Sequence, residues 1–106
     1  MKIEAGSVVL LKFPFSNEVG YKRRPALVLK DFEDNDALVC RITSKIYKSK
    51  YDIYLDDWLH LGLKLPSVVR VHKLATLETD MIEIMMGRID DITLNKVKKI
   101  FASIIV

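Results

Sequence analysis

The stretch KRRPALVL (residues 22–29) joins three consecutive cations directly to an apolar run. The apolar residues predict a buried strand, and Pro25 fixes the backbone where a polar loop enters that strand. An arginine held at this junction points from a rigid element into solvent, and its planar guanidinium suits phosphate. A solvated basic loop in front of a core strand is the alternative interpretation of the same residues.

Short apolar runs on either side of this stretch predict a sheet. Polar, charged or glycine-containing segments separate the runs, as is typical of turns and loops. We predict strands at residues 7–13, 25–30, 37–44, 51–55, 67–72 and 81–88, with residues 16–24 as a loop. Many short strands followed by one helix favour a mainly β fold, a small curved antiparallel barrel with a C-terminal α-helix against its side.

The C-terminal segment has helical periodicity. Thr93 or Asp90 is placed to cap the start of this helix. The lysines of the segment fall off its apolar stripe, so we expect them in solvent. The stripe consists of Leu94, Val97, Ile100, Phe101, Ile104 and Ile105, and the lysines are Lys96, Lys98 and Lys99.

Length and composition predict one domain over residues 1–106. Half of the residues are hydrophobic, which argues against disorder, and the net charge of +3 leans toward an anionic partner. Cys40 is the only cysteine, which excludes an internal disulfide. No signal peptide is visible and no apolar run approaches the about 20 residues of a membrane-spanning helix. We therefore expect no membrane partner and a cytoplasmic location.

Strand alternation separates core residues from candidate functional residues. In the strand at 37–44, Cys40 shares its face with apolar residues, a pattern typical of an inert buried thiol. Arg41 and Thr43 share the opposite face near the end of that strand. A threonine at such a place is usually there for its β propensity, so this residue alone indicates little about function.

Arg70 and His72 share one face of the strand at 67–72, about 6.5–7 Å apart along the backbone. An arginine beside a histidine suits phosphate chemistry, because the arginine holds negative charge and histidine exchanges a proton near neutral pH. An exposed polar strand face is the alternative interpretation.

The sequence offers no recognisable metal or cofactor motif. It has two histidines and no carboxylate–histidine motif, so we expect no dedicated metal site. The four glycines are too scattered for a phosphate-binding or dinucleotide-binding loop, so no cofactor is expected.

Seven short motifs cover nearly the whole chain: GSVV (6–9), FPFS (13–16), RPALVL (24–29), CRITS (40–44), PSVVR (66–70), KLATL (73–77) and GRI (87–89). Together with the final helix, they resemble the PemK/MazF family, the ribonuclease toxins of bacterial toxin–antitoxin pairs. Each motif is weak alone, and the specificity lies in their order and spacing.

The resemblance implies a homodimer of SH3-like barrels that cleaves single-stranded RNA without a metal and is neutralised by a cognate antitoxin. In such cleavage the ribose 2′-hydroxyl attacks the adjacent phosphorus and the 5′-oxygen leaves, giving 2′,3′-cyclic phosphate and 5′-hydroxyl ends. The reaction needs a base, an acid and positive charge on the pentavalent phosphorane.

The resemblance also assigns candidate catalytic residues. The family's arginine before the proline matches Arg24, which implies a role in neutralising the phosphorane. Its threonine after the central strand matches Thr43, which implies a hydrogen bond that orients the phosphate. Some relatives use an arginine and an aspartate two residues apart on a later strand. Arg70 matches that arginine, but His72 stands where the aspartate is found, so either the histidine is the base or the position is idle.

Family members carry the loop at 16–23 over the RNA groove. The resemblance therefore implies RNA contacts from Phe15, Ser16, Tyr21, Lys22, Arg23, Arg41 and Ser44.

Two other functions remain open. A toxin of the same barrel fold that inhibits DNA gyrase cuts no RNA, and the presence of both Arg24 and Thr43 argues against it. The other alternative is a catalytically inactive RNA-binding module.

Overall fold

Six β-strands and one α-helix account for most of the chain that the structure describes. The computed structural model describes residues 3–14 and 21–106. The strands are β1 (Ser7–Pro14), β2 (Tyr21–Asp31), β3 (Asp36–Thr43), β4 (Asp52–Tyr54), β5 (Val68–Glu78) and β6 (Ile82–Arg88), and the helix is α1 (Asp91–Ile104). A 3₁₀ turn, Thr79–Met81, joins β5 to β6.

The strands form one antiparallel sheet in the order β4-β5-β3-β2-β1-β6. Register shifts interrupt three of the strand pairs, and such irregularities bend and twist a sheet. The segment between β4 and β5 reaches the other edge of the sheet, because a Cβ on Gly87 of β6 would lie 3.6 Å from Leu61 Cα. The sheet thus curls toward closure, and the predicted mainly β fold with a C-terminal helix is confirmed.

The central strands are buried on both faces. One face packs against the helix through a cluster that includes Val8, Leu27, Cys40, Val69, Val71, Leu94 and Val97. The other face carries a second cluster of Val9, Leu11, Ala26, Val28 and Val39. Burial on both faces explains why β1 and β2 contain continuous apolar runs instead of alternating ones.

The helix begins at a side-chain cap. Asp90 Oδ1 accepts a hydrogen bond from Thr93 N at 2.7 Å, so of the two predicted caps Asp90 is confirmed. That bond holds the pKa of Asp90 below its ordinary value. Ile105 lies beyond the last helical residue and is 69% exposed, so its predicted place on the buried stripe is wrong.

Two predicted boundaries are also wrong. Residues 21–24, predicted as loop, belong to β2, where Pro14 pairs with Tyr21. The strand predicted to end at His72 continues to Glu78. Lys22 and Arg23 in the first segment, and residues 73–76 in the second, are exposed, so neither segment shows the apolar pattern that predicts a strand.

Cys40 is a buried free thiol, as predicted. Its side chain is 0% exposed, and burial raises its pKa to about 12. Among the described residues, no helix is long and apolar enough to cross a membrane.

Candidate functional site

Among the residues that the structure describes, the first half of β2 has a strand neighbour on one side only. Its residues 21–25 pair with β1, whereas β3 pairs with β2 only from Ala26–Arg41 onward. Pro25 lies in this one-sided region, which suits a residue that has no amide hydrogen to give to a second strand. Past this pair, the last residues of β3 are no longer joined to β2, and the sheet opens.

A cavity of about 760 Å³ occupies this opening, and we call it the mouth pocket. It brings together Arg23 and Arg24 from β2 with Thr43, the last residue of β3, and Ser44 directly after it. Four residues predicted from two separate parts of the sequence, 23–24 and 43–44, therefore line a single pocket. The apolar residues of its wall are Leu10, Ile42, Leu63, Leu65, Ile84, Met85 and Met86.

The two arginines of the mouth pocket differ in their partners. Arg23 Nε donates to both carboxylate oxygens of Glu83, each at 3.0 Å, in an exposed ion pair. Arg24 is half-buried, and its side chain has neither a hydrogen bond nor an ion pair with a residue in the ranges 3–14 and 21–106. An anion must therefore compete with Glu83 for Arg23, whereas within the described residues nothing competes for Arg24.

The hydroxyl of Thr43 already accepts one hydrogen bond. Lys45 N donates to Thr43 Oγ1 at 3.2 Å. A hydroxyl has two lone pairs and one hydrogen, so its own hydrogen stays free to donate. Thr43 can thus donate to an oxygen of a bound anion while the backbone after β3 holds its side chain in place.

Arg70 lies outside the mouth pocket, in a cluster with Asp52 and Tyr47. Its Nε donates to Asp52 Oδ1 at 2.9 Å, and its Cζ lies 3.6 Å from the centre of the Tyr47 ring. The side chains of Arg70 and Asp52 are 12% and 1% exposed. Unlike Arg24, this arginine is held in one position by a carboxylate and an aromatic ring.

Asp52 joins Arg70 to the loop that follows β3. Its Oδ2 accepts hydrogen bonds from Ser49 N at 2.9 Å and from Ser49 Oγ at 2.7 Å. Burial by itself raises the pKa of Asp52, but the hydrogen bonds from Arg70 and Ser49 outweigh burial and hold the pKa below its ordinary value. The carboxylate is therefore ionised at neutral pH and anchors both partners.

His72 lies two residues beyond Arg70 on β5, in different surroundings. Its ring centre is 4.9 Å from that of Tyr51, and its Nδ1 is buried without a hydrogen-bond partner among the described residues. Buried N–H groups without an acceptor are rarer than acceptors without a donor. The surroundings of His72 therefore favour the tautomer that carries its hydrogen on Nε2.

Arg24, Arg41 and Arg70 form a row across three adjacent strands. Arg41 of β3 pairs with Ala26 of β2 and with Arg70 of β5. Paired residues share a face of the sheet, and so do residues two apart on one strand, as Arg24 and Ala26 are. This row supplies the positive charge of the site. In the ranges 3–14 and 21–106, no group of three or more histidine, cysteine, aspartate or glutamate side chains is placed to hold a metal ion.

The structure places the other predicted RNA contacts only in part. Lys22 is exposed on β2, next to the mouth pocket residues, and Tyr21 is the first residue of that strand. Phe15 and Ser16 lie outside the described residues, so their predicted contacts stay predictions.

Comparison with protein families identifies the chain. Residues 4–105 match the family model described as the PemK-like, MazF-like toxin of type II toxin–antitoxin systems. The chain belongs to this family. A search of curated protein sequences gives no significant match.

Solved MazF structures share the fold of this PemK/MazF toxin. A chain of MazE-MazF (Form-III) from Deinococcus radiodurans superposes with a TM-score of 0.81 at 25% identity, covering 97% of this chain and 95% of that one. An endoribonuclease in complex with its cognate antitoxin, from a mycobacterial species, gives 0.74 at 18% identity, with 98% and 95% covered. The toxin MazF-mt6 from Mycobacterium tuberculosis gives 0.71 at 17% identity, with 90% and 93% covered. The predicted family is confirmed.

Sequence reasoning missed Asp52 and Tyr47 in this PemK/MazF toxin. Asp52 meets Arg70 because β4 pairs with β5 in the register that sets these two residues opposite each other. An aspartate after a basic loop is a common pattern, and nothing in the sequence reveals that register. The lysines of the preceding loop, Lys45, Lys48 and Lys50, are apparent in the sequence, whereas the attachment of that loop to β5 is not.

We predict that Asp52→Ala lowers the free energy of unfolding by about 2–3 kcal/mol at pH 7, because it leaves the largely buried Arg70 without its carboxylate. The pKa of Asp52 is lowered in the folded state, so its contribution is full above the ordinary carboxyl pKa of about 4 and is lost as the pH falls through the folded value. Urea unfolding at several pH values measures the difference.

The matched control is Asp56→Ala, at an exposed aspartate on the other side of β4. It should change the free energy of unfolding by less than about 0.5 kcal/mol. Equal losses for the two variants, or a loss at Asp52 that stays constant down to low pH, would show that Asp52 is not the anchor.

Proposed function

We propose that this PemK/MazF toxin is a metal-independent endoribonuclease that cleaves single-stranded RNA. The observation that carries the proposal is the meeting of Arg24 and Thr43 in the mouth pocket. Arg24 has no partner among the described residues, and Thr43 has a hydroxyl hydrogen free to donate. The mycobacterial proteins of the same fold are described as endoribonucleases, which supports the same activity here.

The reaction is an intramolecular transesterification. The ribose 2′-oxygen forms a bond to the adjacent phosphorus while its proton passes to a base, and the bond from phosphorus to the 5′-oxygen breaks as that oxygen takes up a proton. Negative charge grows on the non-bridging oxygens of the pentavalent phosphorane. Arg24 stabilises this charge, and Thr43 donates a hydrogen bond that orients one of those oxygens.

Arg24 has an advantage over its neighbours for this task. Arg23 is paired with Glu83, and Arg70 with Asp52, so part of the charge of each is already neutralised. An unpaired guanidinium that is half-buried interacts with a developing anion more strongly than an exposed one, because less water screens the interaction. Arg24 is therefore the principal transition-state cation in the proposal.

The geometry of His72 does not favour it as the base. To accept the 2′-hydroxyl proton at Nε2, the ring must carry its hydrogen on Nδ1, which is buried without a hydrogen-bond acceptor among the described residues. To accept the proton at Nδ1, the ring must bring a buried atom to the substrate. The proposed mechanism therefore gives His72 no part in the proton transfer from the 2′-hydroxyl.

We predict that cleavage persists in excess EDTA, because arginines supply the positive charge that a metal ion provides in other nucleases. The products should carry 2′,3′-cyclic phosphate and 5′-hydroxyl ends, identified by mass spectrometry of a cleaved oligonucleotide. Activity that disappears in EDTA and returns with a divalent ion would contradict the proposal.

Arg24→Ala should lower the single-turnover cleavage rate by about 10²–10³, the usual loss for one donor to transition-state charge. Thr43→Val should also impair cleavage because it removes the hydroxyl, whereas Thr43→Ser keeps that group and should stay close to the parent. The comparison uses saturating RNA and variants whose thermal unfolding matches that of the parent.

Lys30→Ala provides the matched control for Arg24, since Lys30 is an exposed cation on the same strand beyond the pocket. Its rate should equal that of the parent. If Arg24→Ala cleaves as fast as Lys30→Ala, the mouth pocket is not the catalytic site.

We further propose a homodimer that an acidic and apolar antitoxin segment inhibits by lying in the mouth pocket. Two copies make a longer groove for an extended RNA strand. The pocket combines cations with an apolar wall, which such a segment complements. Light scattering should show a dimer, and the cognate antitoxin should displace labelled RNA. Monomers at micromolar concentration, or inhibition without displacement of RNA, would contradict this assembly.

A further inference from the structure

We propose that a second surface, beside the mouth pocket, binds the RNA backbone next to the scissile phosphate. It consists of the loop at 45–51 and Asp52 directly after it, together with Arg41, Arg70 and His72, and we call it the flanking surface. The inference deepens the proposed function, on which it rests. It replaces a catalytic role for Arg70 and His72 with a binding role.

Charge is concentrated on the flanking surface. Its cations outnumber its acids by four, whereas the formal charges of the other 25 charged residues of the chain add up to −1. The single acid, Asp52, is buried and paired with Arg70, so it offers little repulsion to an approaching phosphate. The chain's net positive charge therefore resides on this surface. Its cations are Arg41, Lys45, Lys48, Lys50 and Arg70.

The loop that carries these lysines is fixed at both ends and in the middle. Lys45 N bonds to Thr43 Oγ1 at 3.2 Å, and Ser49 is held twice by Asp52. At the far end, Val71 N donates to Tyr51 O at 3.0 Å. A loop that is already ordered loses less conformational entropy when it binds a ligand, so its lysines are suited to a defined phosphate path.

The flanking surface is continuous with the catalytic pair. Thr43 lines the mouth pocket, and the loop begins two residues later at Lys45. Arg41 lies between Arg24 and Arg70 in the row across the sheet. A strand whose scissile phosphate contacts Arg24 and Thr43 meets the cations of the flanking surface as it leaves the pocket.

The tyrosines of the loop hold cations against the surface. Arg70 covers the Tyr47 ring at 3.6 Å, and Lys50 Nζ lies 5.2 Å from the centre of the Tyr51 ring, which also contacts His72. The rings thus orient positive groups that bind phosphate, a contact that carries no sequence information. We infer that this surface contributes affinity without base selectivity.

His72 contributes a neutral donor to this surface. With the hydrogen on Nε2, the ring can donate to a phosphate oxygen, while Nδ1 stays buried beneath it. This role uses the tautomer that the surroundings favour, whereas a general base needs the other one. His72 is then a binding residue in the place where some relatives have a carboxylate.

The test compares Lys48→Ala/Lys50→Ala with Lys98→Ala/Lys99→Ala, which removes two exposed lysines from α1. The probe is a single-stranded RNA 20-mer that contains a mapped cleavage site blocked by a 2′-deoxy sugar. We expect the loop variant to bind about tenfold more weakly and to reduce the slope of log K against log salt by about 1.4, as for two lost phosphate contacts. The helix variant should bind like the parent.

Truncating the RNA from each end in turn locates the contact. Parent affinity should fall when nucleotides on one side of the cleavage site are removed, and the loop variant should be insensitive to that same truncation. His72→Ala should weaken binding about fivefold, the effect of one neutral hydrogen bond, with a pH–rate profile of the parent's shape.

Several results would overturn the proposal. The loop variant could bind RNA with the affinity and the salt dependence of the parent. It could bind the antitoxin more weakly while its binding of RNA is unchanged. His72→Ala could show a flattened pH–rate profile. If the parent cleaves no RNA, the proposed function fails by itself. The salt dependence of binding to an unmodified 20-mer of mixed sequence still decides whether the flanking surface binds RNA.

Discussion

The site depends on the place where β3 stops pairing with β2. The pair Ala26–Arg41 is the last on this side, and within residues 3–14 and 21–106 the backbone of β2 before it pairs with β1 alone. The following residues of β2, from Ala26 to Val28, are among the most buried in the chain. Arg24 is therefore attached to a strand that packing holds firmly, two residues from a core that tolerates little displacement. The opening and the rigidity of its rim have a common origin in this change of pairing.

The arginines of the row illustrate two uses of the same side chain. Burying a charged pair such as Arg70 and Asp52 costs desolvation, and only good geometry with additional hydrogen bonds offsets that cost. Asp52 obtains those bonds from Ser49, so its main effect is to fix the position of a loop and of a guanidinium. Arg24 has no such commitment among the described residues, and it gains a strong partner only when an anion enters. The guanidinium of Arg70 is thus held in place before a ligand binds, whereas that of Arg24 is left without a strong partner until the anion arrives.

Local sequence patterns were sufficient to predict the strands and the helix that such patterns determine. Continuous apolar runs located β1 and the second half of β2, and the apolar stripe with Asp90 located the helix. Motif resemblance points to Arg24 and Thr43, which line the same pocket. The remainder depends on pairings between distant residues. Arg23 meets Glu83 from 60 positions away, and Asp52 meets Arg70 from 18 positions away, through registers that no local pattern encodes. Residues 21–24 of β2 were not predicted as strand, because the adjacent exposed cations Lys22 and Arg23 do not show the alternation of apolar and polar residues that indicates a strand.

Cys40 lies in β3, three residues before Thr43, and its burial has a chemical consequence for the toxin. The thiolate is the form that oxidants attack, and a thiol whose pKa is about 12 is almost entirely protonated at neutral pH. The folded chain therefore has no accessible cysteine through which oxidation acts. Met85 and Met86 are different, since they are half-buried and line the mouth pocket. Conversion of their thioethers to sulfoxides would make an apolar wall polar, so the sulfur atoms whose oxidation would change the lining of the pocket are those of Met85 and Met86 and not that of Cys40.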